Sequence, residues 1–138
     1  MSRAPNWPAL LTRFIEEKRD VPFDWANNNC CFFAADWCLI LTGIDPAADI
    51  RADVKDKATA AAMITPLGGL AGIADARCVS NGWPEVPRKQ AQRGDVVLFD
   101  GEHGETLGVC AGPQIVAPGP SGLMQLPMSA AKKAWRIR

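Results

Sequence analysis

The sequence has no excess of charge of either sign and no cluster of basic side chains. Its 138 residues include 15 Lys and Arg and 15 Asp and Glu, which gives a formal net charge of zero. The basic residues are scattered along the chain, whereas proteins that bind nucleic acids or membrane surfaces concentrate them in a patch or stripe. We therefore expect no nucleic-acid partner.

The sequence also lacks an apolar run long enough to cross a bilayer. The longest run, Cys30 to Ile44, contains Asp36 and is shorter than the roughly 20 residues that a membrane-spanning helix needs. No secretory signal opens the chain. We therefore expect no membrane insertion.

The five cysteines follow neither a disulfide pattern nor a metal-binding pattern. Their number is odd, and Cys30, Cys31 and Cys38 lie in one apolar run, which is typical of reduced thiols in a protein made in a cytosol. No Cys-x-x-Cys pair occurs, so we expect no structural zinc site. Gly68-Gly69 is not followed by the lysine of a phosphate-binding loop and predicts a turn. The sequence thus indicates no metal and no cofactor.

The composition is typical of one globular domain. Hydrophobic residues make up 48% of the chain and charged residues 22%, and a chain of this length can bury a core without disulfides. We predict a single domain over residues 1–138.

The first half of the chain predicts helices. Apolar residues from Trp7 to Ile15 recur at helical spacing and indicate an amphipathic first helix. A second helix is predicted from Cys30 to about Leu41, with three asparagines before it as candidate N-caps and Asp36 as its only charge. Asp45-Pro46 predicts the start of a further helical stretch. The alanine-rich segment 57–64 predicts another helix, closed by Pro66 and Gly68-Gly69.

From Gly94 onward the pattern changes to short strands separated by Gly, Pro and Asp. The order of helices followed by an antiparallel meander predicts an α+β fold, in which a buried helix that begins with Cys30 packs on a C-terminal antiparallel sheet. The segment 117–128 is rich in Pro and Gly but carries several large apolar side chains. These either fold back on the core or dock on a neighbouring protein. The predicted strands are 96–99, 106–110, 114–117 and 135–137.

Cys30 is the candidate nucleophile. At the N-terminus of a helix the unpaired backbone N–H groups and the helix dipole stabilise a thiolate, which lowers the thiol pKa. The alternative is that Cys30 and Cys31 are small core residues, since free cysteine is among the most buried residue types. The position of Cys30 alone leaves both interpretations open.

The order of the motifs resembles the NlpC-like family of papain-fold cell-wall peptidases. Asn29-Cys30-Cys31-Phe32-Phe33 stands where that family has Asp-Cys-Ser-Gly-Phe, and Gly94-Asp95 with the apolar run after it matches a Gly-Asp-hydrophobic strand. Thr106-Leu107-Gly108-Val109-Cys110 stands where the family has His-Val-Gly-Ile-Tyr. The order of further motifs, from Pro22-Phe23 through Thr42-Gly43-Ile44-Asp45-Pro46 to Ala134-Trp135-Arg136-Ile137, spans nearly the whole chain. In this order the chain is similar to an uncharacterised family of the same fold in tailed phages and prophages. This resemblance implies a papain-like fold with Cys30 in the position of the nucleophile.

Two positions depart from the family pattern. Thr106 stands where the catalytic histidine is expected, and Ala117 where a polar residue would orient that histidine. The single histidine, His103, precedes Thr106 by three residues, which is roughly 10 Å along an extended strand and on the opposite face. His103 is either a solvated loop residue or a relocated base for Cys30.

We therefore carry two main functional expectations. The first is a structural component of a phage tail tip or baseplate, with a degenerate NlpC-like fold, assembled in the bacterial host cytoplasm and carried in the virion among other tail-tip proteins. The second is a cysteine endopeptidase that cleaves peptidoglycan during genome entry, with Cys30 and His103 as catalytic residues. A third is a host protein with an unknown binding role.

Overall fold

The computed structural model describes residues 3–102 and 104–138, which form four α-helices and one six-stranded sheet. The helices come first and the strands follow, so the predicted α+β class is confirmed. Four short 3₁₀ turns, at Arg51–Asp53, Thr65–Leu67, Arg88–Gln90 and Met128–Ala130, connect them. The helices are α1 (Trp7–Lys18), α2 (Cys30–Thr42), α3 (Lys57–Ile64) and α4 (Gly69–Ser80). The strands are β1 (Glu85–Val86), β2 (Val96–Gly101), β3 (Gly104–Cys110), β4 (Gln114–Gly119), β5 (Gly122–Pro127) and β6 (Ala131–Trp135).

The sheet is antiparallel throughout, in the order β1-β6-β2-β3-β4-β5. Within the described chain, β2 pairs with β3 from Val96 to Gly101, but β3 pairs with β4 only through Val109↔Val116 and Cys110↔Ile115. Beyond these two pairs the strands separate. The separation opens the sheet at the end where Thr106 and Gly119 lie.

Helix α2 begins at Cys30, as the sequence predicts. Asn29 is its N-cap, and its side-chain oxygen accepts the Phe32 N–H at 2.8 Å. Gly43 ends the helix with φ +84°, a left-handed conformation in which glycine has no Cβ to strain. The helix is apolar on most sides and packs against α1 and against β3 and β4.

The core divides between the two faces of the sheet. On one face, Phe14, Phe33 and Trp37 from α1 and α2 pack with Leu107 and Val109 of β3. A second cluster lies under α3, around Phe32 and Ile50. The opposite face of the sheet carries a third cluster, which includes Phe99, Ile115 and Ala117.

The structure corrects four predictions. The predicted strand 135–137 is wrong, because the last strand is β6 (Ala131–Trp135) and the chain leaves the sheet after it. Asp45-Pro46 begins turns and the 3₁₀ turn Arg51–Asp53 rather than a helix, because the Asp45 carboxylate accepts the Ala47 N–H and pairs with Arg51. Gly68 does form a turn, with φ +93°, but it leads directly into α4, which the sequence did not predict.

No strand is predicted after residue 117 in the segment 117–128, but the structure extends β4 to Gly119 and forms strand β5 within this segment. Leu123 packs partly buried against the core cluster that contains α1 and α2. Met124, Leu126 and Met128 pack partly buried against the third cluster. These side chains therefore fold back on the chain's own core.

The buried carboxylate of Asp95 joins both ends of the chain. It accepts hydrogen bonds from Arg3 at 2.6 Å, from Arg136 at 3.2 Å and from the Gln92 N–H at 2.8 Å. Arg3 also donates to the Ile137 carbonyl at 2.7 Å. Asp95 itself is 0% exposed, so this carboxylate is fully enclosed by its partners.

Asp36, the only charge of α2, forms two ion pairs. Its carboxylate lies 3.0 Å from Lys18 Nζ and 2.8 Å from Arg51 Nη2.

In the described chain, no single helix is both long and apolar enough to cross a membrane. The pair Lys57–Leu67 and Gly69–Ser80 meets that requirement only across a bend of 62°.

Candidate functional site

Cys30 is the first residue of α2 and is half-buried. Two hydrogen bonds of the Asn29 side chain fix the backbone on either side of Cys30. Asn29 holds the first turn through the Phe32 N–H, and its own side-chain N–H₂ donates to the Trp25 carbonyl at 2.8 Å. The two bonds fix the entering chain and the helix N-terminus relative to each other.

Cys30 opens onto a cleft of about 610 Å³, which we call the Cys30 cleft. The cleft lies where β3 and β4 separate, between the start of α2, the helix α3, and the β2–β3 hairpin. Its volume falls within the range typical of ligand-binding sites. The lining residues are Phe23, Trp25, Asn29, Cys30, Cys31, Lys57, Ala60, Ile64, Leu70, Gly101, Glu102, Glu105, Thr106, Pro118, Gly119, Pro120 and Met124.

The thiol of Cys30 is not activated by its surroundings. Burial raises its pKa above the ordinary value for cysteine, and the backbone groups of Leu107, Cys31 and Cys30 oppose this only in part. The backbone groups at the helix N-terminus do act to lower the pKa, as expected, but desolvation is the larger effect. The expectation of a pKa below the ordinary value is therefore wrong.

Thr106 and Ala117, the positions that correspond to the base and its orienting residue, carry no group that takes up a proton at neutral pH. Thr106 lines the Cys30 cleft, and its hydroxyl donates to the Gly104 carbonyl at 3.1 Å. Ala117 is fully buried in the third core cluster. Leu107, the residue that follows Thr106, contacts the Cys30 thiol through its backbone. His103, the proposed relocated base, lies outside the described residues.

The entrance of the cleft carries charges of both signs. Lys57 lies on the α3 side, and Glu102 and Glu105 lie on the β2–β3 hairpin. Glu105 is 3.6 Å from Lys132, which also pairs with Asp100 at 3.1 Å. The hairpin therefore carries three carboxylates, two of which pair with Lys132.

Sequence reasoning missed most of the apolar wall of the cleft. Phe23 and Trp25 meet edge to face, with ring centroids 4.8 Å apart, and Trp25 remains 38% exposed. Pro118, Pro120 and Met124 form the wall on the side of β4 and β5. The sequence signal that could have identified this wall was the Pro-Gly content of 117–128, which marks irregular backbone but does not specify what it faces.

The other cysteines are core residues. Burial raises the pKa of Cys31 and of Cys78 to about 12, and that of Cys38 well above the ordinary value. These three thiols line a small apolar cavity of about 40 Å³ between α2 and α4. All five cysteines are free, and the described residues contain no group of three side chains arranged to hold a metal ion.

Comparison with known proteins gives one family. No curated protein matches the chain. A family described as a domain of unknown function, DUF6950, matches residues 2–137, almost the whole length of the sequence. The chain belongs to the DUF6950 family.

Proposed function

We propose that this protein is a structural component of a phage tail tip or baseplate, built on an NlpC-type papain-like fold whose catalytic apparatus has degenerated. It assembles with other tail-tip proteins in the bacterial host cytoplasm and is carried in the virion tail. The phage part of the proposal rests on the resemblance in motif order from Pro22-Phe23 to Ala134-Trp135-Arg136-Ile137.

The arrangement of elements supports the NlpC-type fold. A helix that begins with cysteine packs against an antiparallel sheet that follows it in the chain. The cysteine lies beside β3, the strand that carries the Thr106-Leu107-Gly108-Val109-Cys110 motif. The Gly94-Asp95 motif has a structural role, because Asp95 fixes both chain ends and Gly94 accepts the Trp37 indole N–H at 2.8 Å through its carbonyl.

The observation that carries the loss of catalysis is the state of the Cys30 thiol and its neighbourhood. The thiol pKa is raised by burial, and Thr106 lies on the same cleft where an imidazole is expected. Loss of a positioned base removes an effect that is typically worth about 10²–10⁴-fold in rate. A cleft of this size can still bind a partner, so binding is the function that the geometry favours.

A cysteine endopeptidase that acts on peptidoglycan is the second candidate, and one observation favours it. Cys30 is half-buried at a helix N-terminus and opens onto a large cleft, as a nucleophile must be in order to reach a substrate. In that case His103 would act as the base, and peptidoglycan would be the partner.

The proposal is tested by two measurements on the same phage. Purified virions are analysed by mass spectrometry for this protein, and the purified protein is incubated with muropeptides that are followed by chromatography. We expect the protein to be present in virions and muropeptides to remain uncleaved. Cys30→Ala and His103→Ala serve as matched variants in both measurements.

The outcomes separate the two candidates. Muropeptide turnover that disappears in Cys30→Ala and in His103→Ala would establish the endopeptidase. Absence of the protein from virions would exclude the tail-tip assignment, whichever variant is tested.

A further inference from the structure

The walls of the Cys30 cleft are largely apolar and include two aromatic side chains, Phe23 and Trp25. Trp25 is 38% exposed and is braced by Phe23, so its ring is held in place while one side stays accessible. Tryptophan in such a position is typical of residues that anchor a protein partner. Met124 also lines the cleft, and a methionine side chain adapts to irregular surfaces.

The charge at the hairpin side of the cleft is negative. Glu102 and Glu105 line the cleft there. Lys132 pairs with Glu105 and with the neighbouring Asp100, whereas Glu102 forms no ion pair with a described residue. Lys57 on the α3 side is a single positive charge across the cleft. A cationic group on an occupant therefore gains Coulomb attraction at the hairpin, whereas a carboxylate there is repelled.

The backbone of the cleft favours an extended occupant. β3 and β4 separate beyond Val109↔Val116, which leaves a space between two strands rather than a closed pocket. Pro118 and Pro120 have no N–H to donate, so these two residues offer an occupant side-chain contact.

We infer that the Cys30 cleft binds an extended polypeptide segment of a partner protein, with apolar side chains on Trp25 and Met124 and a Lys or Arg beside Glu102 and Glu105. The inference rests on the proposed function, since it names the kind of partner segment that the assembly module holds. The acidic hairpin disfavours the stem peptides of peptidoglycan, because these peptides are rich in carboxylates.

The test is calorimetric titration of the whole protein with two blocked peptides, acetyl-Leu-Lys-Leu-Lys-amide and acetyl-Leu-Glu-Leu-Glu-amide. We expect the cationic peptide to bind more tightly and its affinity to fall as salt is raised. In Glu102→Gln with Glu105→Gln, affinity for the cationic peptide should fall roughly two- to tenfold, as expected for two partly exposed ion pairs. Glu16→Gln, on the exposed face of α1, is the matched control and should leave binding unchanged.

Three results would overturn the inference: equal binding of the two peptides, no effect of the hairpin substitutions, or no binding of either peptide at millimolar concentration. Tighter binding of a muropeptide than of the cationic peptide would also overturn it. None of these results depends on whether the protein occurs in virions, so the proposed function can stand while the inference about its cleft fails.

Discussion

Two opposing effects act on the thiol of Cys30. Position at a helix N-terminus favours the thiolate by about 0.3–1 kcal/mol, and by up to about 2 kcal/mol when partly buried. In Cys30 the larger effect is burial, which disfavours the charged thiolate because the charge loses its hydration. Desolvation therefore prevails, and the pKa of Cys30 is raised.

The reactivity of Cys30 should follow from this raised pKa. The thiolate is the species that reacts with iodoacetamide, so at pH 7 alkylation of Cys30 in the folded protein should be slower than that of N-acetylcysteine. The rate should still be rising above pH 9, where a free thiol is already mostly ionised. Peptide-level mass spectrometry after timed alkylation from pH 6 to pH 10 measures this rate for Cys30 alone.

The denatured protein is the control, since all five cysteines are then exposed and should react like the free thiol. A rate for folded protein that reaches its plateau by pH 7 would reveal an activated thiolate. That result would favour the endopeptidase candidate over the binding module.

At the scale of elements, the start of α2 is the structure on which the site depends. The helix is enclosed by α1, β3 and β4, but its first turn is fixed locally by Asn29. The side chain of Asn29 satisfies one of the N–H groups that have no intrahelical partner and also holds the Trp25 carbonyl. The cap therefore positions both Cys30 and the aromatic wall of the cleft.

Removal of this cap should destabilise the protein. Asn29→Ala is expected to lower the free energy of unfolding by about 0.5–2 kcal/mol, because the Phe32 N–H loses its acceptor. Urea denaturation followed by circular dichroism measures the change. Asn27→Ala is the matched control, since Asn27 is exposed, and it should change stability by no more than about 0.5 kcal/mol.

Equal effects of Asn27→Ala and Asn29→Ala would show that the cap does not stabilise α2. The neighbouring Asn28 is not a suitable control, because it is buried and donates to the Val21 and Pro22 carbonyls.

At the scale of the whole molecule, Asp95 links segments that are far apart in the chain. Its carboxylate binds Arg3 near the start of the sequence and Arg136 near the end, and its backbone carbonyl accepts the Cys110 N–H at 2.8 Å. A buried carboxylate of this kind is costly to desolvate, but its removal leaves two guanidinium groups without their partner.

Asp95→Ala should therefore lower the free energy of unfolding by about 3–5 kcal/mol. Asp100→Ala, which removes an exposed partner of Lys132, should cost no more than about 1 kcal/mol. Thermal and urea unfolding of both variants measure the difference. Similar values for the two would contradict the view that Asp95 holds the chain ends together.

Local patterns in the sequence determined much of this fold. Helical periodicity predicted α1, and the continuous apolar run with an asparagine before it predicted α2. Short apolar segments between Gly, Pro and Asp after Gly94 predicted β2, β3 and β4 in order. These elements are set by interactions within a few residues, so their signals survive without tertiary information. The start of α2 at Cys30, and hence the candidate nucleophile, was predicted on that basis.

Elements with little local signal could not be predicted. Helix α4 begins with Gly68-Gly69, which the sequence rules assign to a turn, and it is stabilised by burying Ile73, Ala74 and Cys78 in the core. Strand β5 lies within a segment rich in Pro and Gly and is fixed by its pairing with β4. In both cases tertiary packing overrides weak intrinsic preference.

The sequence by itself determined which chemical groups are available: a cysteine at the start of an apolar helix, a threonine and an alanine at two positions of the family motifs, and a charge balance of zero. Only the tertiary structure decided what those groups can do. The separation of β3 from β4 creates the cleft, and burial by segments distant in sequence raises the pKa of Cys30. Cleft shape and desolvation both depend on which surfaces meet in the folded chain, and no spacing of residues along the sequence specifies that.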